Sequence, residues 1–329
     1  MNIRVESAGF LSSVQDLGRP GFRQSGVPLG GALDSHALRV ANALVGNGDE
    51  AAGLEVTFGT LRLSFADDRA IAWCGAPFSV RVGDQPIPAG RVAEVRAGRE
   101  LTMIAPTSGG RAWLAISGGI DVPLVLGSRA TDLRGNFGGL EGRALRDGDM
   151  IGLGKEARLP SRPPQSNGGL ETAAPWGAPA GWAALGKGEP ILRVVRGTDW
   201  DRFTAAAQRS LVSGRFTVTR DSDRMGVRLE GPELERCDHG DLLSEAVAPG
   251  TIQVPPNGKP IVLLNDCQTV GGYPKIAHVT TVDLPLAAQL FPGDTVRFGE
   301  VTLAEAQMLL REREQDFARF RVGLSLHRR

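Results

Sequence analysis

Short apolar segments with a two-residue period recur along the chain and predict β-strands. Residues 61–65 and 78–82 alternate apolar with polar side chains, and residues 112–116 form a continuous apolar run of the buried type. The strand-like pattern returns at residues 191–195 and 276–282. The chain also contains 44 glycines and 21 prolines, which favour short strands joined by tight turns. The pattern therefore predicts a mainly β protein with a few helices.

Three segments carry the period of amphipathic helices instead. The first follows Asp34, a good capping residue, and ends at Gly46. Its apolar face carries Leu38, Ala41, Leu44 and Val45. The second is predicted from about residue 200 to about residue 211. The third begins with a T-x-x-E capping box at residues 302–305 and runs to about residue 320, with Leu303, Ala306, Leu310, Phe317 and Phe320 on its apolar face.

One segment separates the two strand-rich halves of the chain. Residues 155–189 are rich in proline, glycine and alanine and lack a sustained period, which is typical of a linker or a long surface excursion. We therefore expect one domain at residues 1–154 and a second at residues 190–329. Similar turn-plus-strand sequences close both halves, at residues 145–151 and 290–296, which gives weak support for two related domains.

The bulk composition excludes several classes of protein. Lysine plus arginine equals aspartate plus glutamate, at 37 each, so no net charge attracts nucleic acid or an anionic membrane. No leader-like segment and no apolar run of membrane-spanning length is present, and we expect a cytoplasmic protein. The three cysteines are too widely spaced for a disulfide framework. No phosphate-binding P-loop occurs, and the four histidines are scattered, so we expect no metal site.

The segment from Asp266 to Lys275 has the densest chemistry in the chain. It follows an apolar run at residues 260–264 and combines carboxylate, amide, hydroxyl and ammonium groups with two glycines and the only tyrosine, Tyr273. A buried strand that ends in such a glycine turn is typical of a ligand site. Cys267 lies in this segment, but no histidine near it in sequence could activate a catalytic thiol.

Four further segments combine glycine with polar residues. Residues 13–34 could receive an anion before the first helix, or could form a loop in which Asp16 and Arg19 pair locally. Residues 127–143 carry Arg129 and Arg134, which could hold a carboxylate or could be surface arginines of an ordered loop. The remaining two are the turn and strand at residues 223–232, and residues 244–258, whose Gln253 and Asn257 amides suit a neutral urea-like or lactam-like ligand.

These segments, in this order, resemble the KipA family, which is also called the allophanate hydrolase subunit 2 or biotin-dependent carboxyltransferase family. The resemblance covers most of the chain, from residue 5 to residue 300. Phe22 and Val227 stand where many relatives are expected to have tyrosine. The motifs that carry the resemblance are V-Q-D-L-G-R-P-G, G-S-R-x-T-x-L, D-R-M-G-x-R-L-x-G-P, G-T-I-Q-V-P-x-N-G and Q-T-x-G-G-Y-P-K.

The resemblance implies two tandem cyclophilin-like β-barrel domains and a role as part of an enzyme complex. Bacterial stand-alone members of this family include the C subunit of 5-oxoprolinase. Together with a KipI-like (PxpB-like) B subunit and a LamB/YcsF-like A subunit, that protein opens the lactam 5-oxoproline to L-glutamate and consumes ATP. Because the chain has no P-loop, ATP is expected to bind to a partner subunit.

The resemblance also leads to a hypothesis for the site. Lys275 would meet negative charge and Asp266 would transfer a proton, as the two catalytic residues. Gln253 and Asn257 would hydrogen-bond the substrate amide, and Arg19 and Arg129 would hold the substrate carboxylate. The other residues expected near the ligand are Gln268, Thr269, Gly271, Gly272 and Tyr273.

Two other functions are compatible with the same family. The chain could be the carboxyltransferase of a biotin-dependent enzyme that acts on urea or a related amide. Biotin would then be carried by another chain, because no methionine here is followed by the lysine of a biotin-attachment sequence. Alternatively, the chain could be a non-enzymatic regulator that binds a KipI-like protein and relieves its inhibition of a histidine kinase.

Overall fold

The computed structural model describes residues 2–107, 110–155, 174, 176–183, 189–238, 240 and 242–327. Most of the predicted linker at residues 155–189 lies outside these residues. The chain divides into two compact units, each assembled from separate stretches of sequence. The first comprises Met1–Arg19, Gly30–Gly186 and Asp316–Arg329, and the second comprises Pro20–Leu29 and Lys187–Gln315.

The first unit consists of two antiparallel sheets. Its strands are β1 (Asn2–Ala8), β2 (Leu11–Gln15), β3 (Gly53–Thr57), β4 (Thr60–Phe65), β5 (Arg69–Gly75), β6 (Ser79–Val82), β7 (Gln85–Pro86), β8 (Ala93–Val95), β9 (Glu100–Ile104), β10 (Arg111–Ile116) and β11 (Met150–Gly152). The strand orders are β11-β1-β4-β9-β6-β7 and β2-β3-β10-β5-β8. The alternating strand β4 buries every second residue, whereas every residue of the apolar strand β10 is buried. The strands predicted from the pattern in this half are confirmed.

Helix α1 (Ser35–Val45) forms where the sequence predicts it. The Oδ1 atom of Asp34 accepts a hydrogen bond from the backbone N–H of Ala37 at 2.8 Å, and Gly46 ends the helix in the left-handed conformation. The apolar face packs against β5 and β10. Helix α2 (Ala180–Ala183) also belongs to this unit.

The second unit contains a closed seven-stranded barrel. The strands of this unit are β12 (Ile191–Arg196), β13 (Phe216–Val218), β14 (Gly226–Glu230), β15 (Glu245–Ala246), β16 (Thr251–Gln253), β17 (Ile261–Leu263), β18 (Val270–Gly271), β19 (Lys275–Val279) and β20 (Thr295–Glu300). The barrel order is β12-β19-β16-β17-β14-β13-β20, and the closing pair β12–β20 is parallel. Strands β15 and β18 pair only with each other and form a two-stranded flap. The mainly β prediction is therefore confirmed.

The second predicted helix is divided in the structure. A 3-10 turn covers Trp200–Arg202, and helix α3 covers Ala205–Ser213. Phe203 between them is extended, and the Thr204 side chain accepts a hydrogen bond from Ala207 and so caps a new helix. The prediction of a single helix over residues 200–211 is therefore wrong. The buried, extended Phe203 interrupts the helical backbone, and Thr204 caps a new helix after it.

Helices α4 (Leu284–Ala288) and α5 (Leu303–His327) complete the described elements. The predicted capping box begins α5: Thr302 Oγ1 accepts from the backbone N–H of Glu305 at 3.2 Å, and Glu305 Oε2 accepts from that of Thr302 at 2.7 Å. Leu303, predicted on the apolar face, is instead 63% exposed because it lies in the first turn. Among the described residues, no helix is long and apolar enough to span a bilayer.

Candidate functional site

Three of the glycine-rich motifs converge on one cavity of the second unit. The cavity has a volume of about 360 Å³ and opens between strands β14, β16 and β17 and the loops that follow them. It is lined by Asp223, Met225, Gly226, Arg228, Gln253, Pro255, Asn257, Ile261, Leu263, Gln268 and Tyr273. The motifs at residues 223–232, 250–258 and 268–275 each contribute to this list, so folding brings together segments that are far apart in sequence.

Three side-chain amides line the cavity, together with Asp223, Arg228 and Tyr273. Gln253 is buried on β16, where its Nε2 atom donates to the carbonyl oxygen of Tyr273 at 3.2 Å. Gln268 Nε2 donates to Gln253 Oε1 at 3.1 Å, so the two amides form a chain. Asn257 lines the same cavity, and its Oδ1 atom accepts from the backbone N–H of Lys259. An amide both donates and accepts, which suits a neutral ligand that does the same.

Glycine at position 271 allows the flap to lie directly against these amides. A Cβ atom on Gly271 would be 2.7 Å from Gln253 Nε2 and 3.4 Å from Gln268 Nε2. A Cβ atom on Gly272 would be 3.2 Å from the carbonyl oxygen of Leu242. The close approach at residue 271 therefore explains why the turn carries no side chain there.

Lys275 is a buried ammonium beside this cavity. It is 5% exposed, and it is the cross-strand partner of Gln253 in the β16–β19 ladder. Its Nζ atom is 2.7 Å from Glu245 Oε2 and 3.3 Å from Asp199 Oδ2. Burial acts to lower the pKa of Lys275, but its hydrogen bonds to Glu245 and Asp199, and their charges, outweigh burial and hold the pKa above its ordinary value. Lys275 is therefore a fixed positive charge.

Sequence reasoning missed both carboxylate partners of Lys275. Asp199 also accepts from the backbone N–H of Lys275 at 2.9 Å, although the two residues are 76 positions apart. Glu245 lies at the start of a polar segment in which the amides of Gln253 and Asn257 are the stronger signal for a ligand site. In the sequence, Asp199 and Glu245 are each a carboxylate in a polar segment between strands. Such carboxylates are too common for the pattern to identify a partner of Lys275.

Asp266, which the resemblance predicts to transfer a proton, forms an ion pair with Arg224. Its Oδ2 and Oδ1 atoms lie 2.8 and 3.2 Å from the Nε and Nη2 atoms of Arg224, and both side chains are buried. The backbone N–H of Asp266 also donates to the carbonyl oxygen of Arg224. This bidentate pair fastens the start of the 266–275 segment to the 223–232 motif. The geometry favours a positioning role for Asp266.

The remaining residues of the segment differ in exposure. Thr269 is buried, and its carbonyl oxygen accepts from the backbone N–H of Val247, next to the flap. Tyr273 is 46% exposed at the rim of the cavity. Cys267 is fully buried, and burial raises its pKa to about 11 even though Arg23 acts to lower it. A thiol held in its neutral form is unsuited to nucleophilic catalysis.

Arg19 and Arg129 belong to the first unit, not to the unit that contains the cavity. Arg19 is fully buried, donates to the carbonyl oxygen of Ala130 and stacks over the ring of Phe137 at 4.8 Å. The Arg129 guanidinium donates to Asp121 at 3.1 Å. Their assignment to a substrate carboxylate stays a prediction.

The two N-terminal motifs bind each other through Asp16. Its Oδ1 atom accepts from the Ser128 hydroxyl at 2.7 Å and from the backbone N–H of Gly18, and its Oδ2 atom accepts from the backbone N–H of Arg129 at 2.6 Å. Thr131 donates through both its backbone and its hydroxyl to the carbonyl oxygen of Val14. These contacts give the motifs a structural function within the first unit.

Metal ligands are not grouped in the part of the chain that the structure describes. No cluster of three or more histidine, cysteine, aspartate or glutamate side chains there could hold an ion. His239 and Asp241, which follow Cys237 in the sequence, are outside the described residues.

Comparisons with known proteins agree with the resemblance that the motifs indicate. Residues 25–300 match the family described as carboxyltransferase domain, subdomain A and B. The chain is 39% identical to the C subunit of 5-oxoprolinase from Escherichia coli K12 over 96% of both chains. It is 36% identical to the C subunit of 5-oxoprolinase from Haemophilus influenzae over 92% of both chains.

A solved structure extends the comparison to the fold. The urea amidolyase of K. lactis is 30% identical and superposes with a TM-score of 0.86 over 97% of this chain, which corresponds to 20% of that longer protein. The chain therefore belongs to the carboxyltransferase family with subdomains A and B, and it is homologous to the C subunit of 5-oxoprolinase over nearly its full length.

Proposed function

We propose that this chain is the C subunit of an ATP-dependent 5-oxoprolinase, which opens 5-oxoproline to L-glutamate with KipI-like B and LamB/YcsF-like A subunits. The observation that carries the proposal is the cavity lined by Gln253, Gln268 and Asn257 beside the buried ammonium of Lys275. Two relatives that match nearly end to end are C subunits of 5-oxoprolinase, which supports the same substrate.

The site residues would bind and orient the lactam for an attack prepared elsewhere in the complex. ATP, bound by a partner subunit, would supply activation of the lactam carbonyl. The amides of Gln253, Gln268 and Asn257 would hydrogen-bond the ring N–H and carbonyl oxygen. Lys275 would stabilise negative charge next to the ring. The walls of the site would be completed by Thr269, Gly271, Gly272 and Tyr273.

The proposal gives Asp266 a positioning role in place of the catalytic role that the resemblance implies. Asp266 would hold the site segment against Arg224, not transfer a proton. The role predicted for Arg19 and Arg129 in holding the substrate carboxylate stays a separate prediction, since both residues belong to the first unit. We also infer that the chain contains two tandem cyclophilin-like domains and that the complex is cytoplasmic. The predicted domain bounds, residues 1–154 and 190–329, differ from the two compact units at residues 20–29 and 316–329, each of which belongs to the other unit.

The direct test is glutamate release from 5-oxoproline and ATP by the complex that contains this chain. Lys275→Met should reduce turnover by about 100-fold or more, because a buried charge that stabilises a transition state is difficult to replace. Lys259→Met is the matched control, since Lys259 is exposed and pairs with Glu230 outside the cavity lining. Normal turnover by a folded Lys275→Met complex would refute the site assignment.

A second candidate is the transfer of a carboxyl group from biotin to urea or a related amide. The similarity to urea amidolyase favours it, because urea presents the same donor and acceptor groups as a lactam amide. Inhibition of the complex by avidin, together with a biotinylated carrier that copurifies with it, would support this function. ATP-dependent glutamate release that avidin leaves unchanged would exclude it as the main activity.

A further inference from the structure

The Lys275 ammonium is shared by two carboxylates that differ sharply in their surroundings. The Asp199 side chain is 13% exposed, and its Oδ2 atom also accepts the backbone N–H of Lys275 at 2.9 Å. The Glu245 side chain is 64% exposed, yet its Oε2 atom makes the shorter contact with Nζ, at 2.7 Å. Asp199, which lies between β12 and the following 3-10 turn, is therefore largely buried against the start of β19, whereas Glu245 reaches the buried ammonium from the solvent side.

Glu245 is held there by the flap. It pairs with Gly271 across the short β15–β18 ladder, which has no partner strand in the barrel. Gly271 in turn lies against the Gln253 amide, and Gln253 is the cross-strand partner of Lys275. The four residues thus form a closed ring that links the Glu245 carboxylate, through Lys275, to Gln253, one of the amides that line the cavity.

A two-residue ladder is a weak attachment, and an exposed carboxylate loses little when it returns to water. The contact between Glu245 and Lys275 is therefore the part of this ring that breaks most easily. Asp199 would remain in place after such a break, so Lys275 would keep one carboxylate partner and one open side.

We propose that Glu245 is a latch, which occupies the Lys275 ammonium until the carboxylate of a ligand displaces it. The inference rests on the proposed function, because 5-oxoproline carries a carboxylate on the ring carbon next to its lactam nitrogen. Amides that hold the lactam would place that carboxylate close to Lys275. The exchange conserves charge: one carboxylate leaves the ammonium and another takes its place. A neutral amide has nothing to exchange and leaves the latch closed.

The latch predicts a difference between two lactams that share a ring. Binding of 5-oxoproline and of 2-pyrrolidinone, which lacks the carboxylate, is measured by calorimetry on the complex without ATP. Glu245→Gln should bind 5-oxoproline about two- to five-fold more tightly, since the ligand no longer breaks an ion pair of modest strength. Binding of 2-pyrrolidinone should not change. Glu230→Gln, which removes the same charge from the exposed pair with Lys259, should change neither affinity.

Hydrogen exchange at backbone amides 245–247 gives a readout that does not depend on catalysis. It should rise several-fold in Glu245→Gln, and in the wild type on addition of 5-oxoproline but not of 2-pyrrolidinone. Weaker 5-oxoproline binding by Glu245→Gln, or equal changes for both lactams, would overturn the latch. The latch would also be overturned if the complex releases glutamate while Glu245→Gln has the same flap hydrogen exchange and the same 5-oxoproline affinity as the wild type. A complex that releases no glutamate but shows these flap responses would refute the proposed function and keep the latch.

Discussion

At the scale of single residues, the site contains two buried ion pairs with different consequences. Lys275 is the cross-strand partner of the cavity-lining Gln253 and contacts two carboxylates, one of which is exposed. Arg224 and Asp266 instead form a bidentate pair with both side chains below a tenth exposed, which fixes two segments in register. We therefore expect a ligand to compete for the Lys275 ammonium and the Arg224–Asp266 pair to support the backbone.

Breaking the structural pair should reduce stability more than any exposed pair does. Asp266→Asn leaves the Arg224 guanidinium buried without its counter-charge, and we expect it to lower the free energy of unfolding by about 3–5 kcal/mol. Urea titration measures the loss. Glu300→Gln is the control, because Glu300 pairs with Arg196 at the surface and should cost less than about 1 kcal/mol. Equal losses in the two variants would contradict the structural role.

At the scale of single residues, the sequence predicted the polar side chains of the site better than it predicted the residues that contact them. Polar groups that crowd around glycines predict Lys275, Gln253 and Gln268 as site residues. In the structure Gln253 and Gln268 line one cavity, and Lys275 is the cross-strand partner of Gln253. The contacts of Lys275 come from residues 76 and 30 positions away. No local pattern encodes such a separation, because the contact is formed only when distant strands pair.

At the scale of elements, the flap depends on glycine for its position. Gly271→Ala would place a methyl group 2.7 Å from Gln253 Nε2, so the flap or the amide must move. We expect weaker 5-oxoproline binding and at least a ten-fold drop in glutamate release, since small displacements of positioning groups are costly. The thermal midpoint should change by only a few degrees, because the flap is outside the barrel.

A second glycine of the same unit supplies the control for that experiment. Gly240 has no described atom within 4 Å of its ideal Cβ position and an ordinary φ. Gly240→Ala should therefore leave binding and turnover unchanged. If Gly271→Ala also leaves binding and turnover unchanged, the close approach of the flap to the Gln253 amide is not required for either.

The elements that the sequence predicted correctly are those with local determinants. Helix α1 has its cap, its apolar face and its terminating glycine within thirteen consecutive residues. The division of the second helix depended on Phe203, whose burial in an extended conformation is a tertiary effect. The pairing of β15 with β18 could not be predicted from the sequence either, because strands of two residues show no periodic pattern of apolar residues.

At the scale of the whole molecule, His278 should make stability depend on pH. Burial is the main cause that lowers its pKa below the ordinary value, and the charge of Lys275 adds to it while Asp199 opposes it. The unfolded chain therefore binds the proton more readily than the folded one. Stability should fall as the pH falls through the unfolded-state value of about 6.5.

His278→Gln tests this dependence. The variant should show a shallower decline in the free energy of unfolding than the wild type between about pH 6.5 and pH 5, as measured by urea titration at each pH. Between about pH 7.5 and pH 9 the two proteins should run parallel, because His278 is neutral in both states there. Identical slopes in the acidic range would show that His278 does not titrate differently on unfolding.

The sequence by itself determined the class of fold, the family and the segments that carry polar chemistry. Each of these follows from local signals: the period of apolar residues, capping residues and short motifs in a fixed order. Only the tertiary structure decided which segments meet. In the tertiary structure three motifs line one cavity, and Asp266 pairs with Arg224. Lys275 contacts Asp199 and Glu245, two carboxylates that the sequence did not predict as its partners. The physical reason is that hydrogen bonds and ion pairs act over a few ångströms in space, and barrel closure alone brings such distant residues within that range.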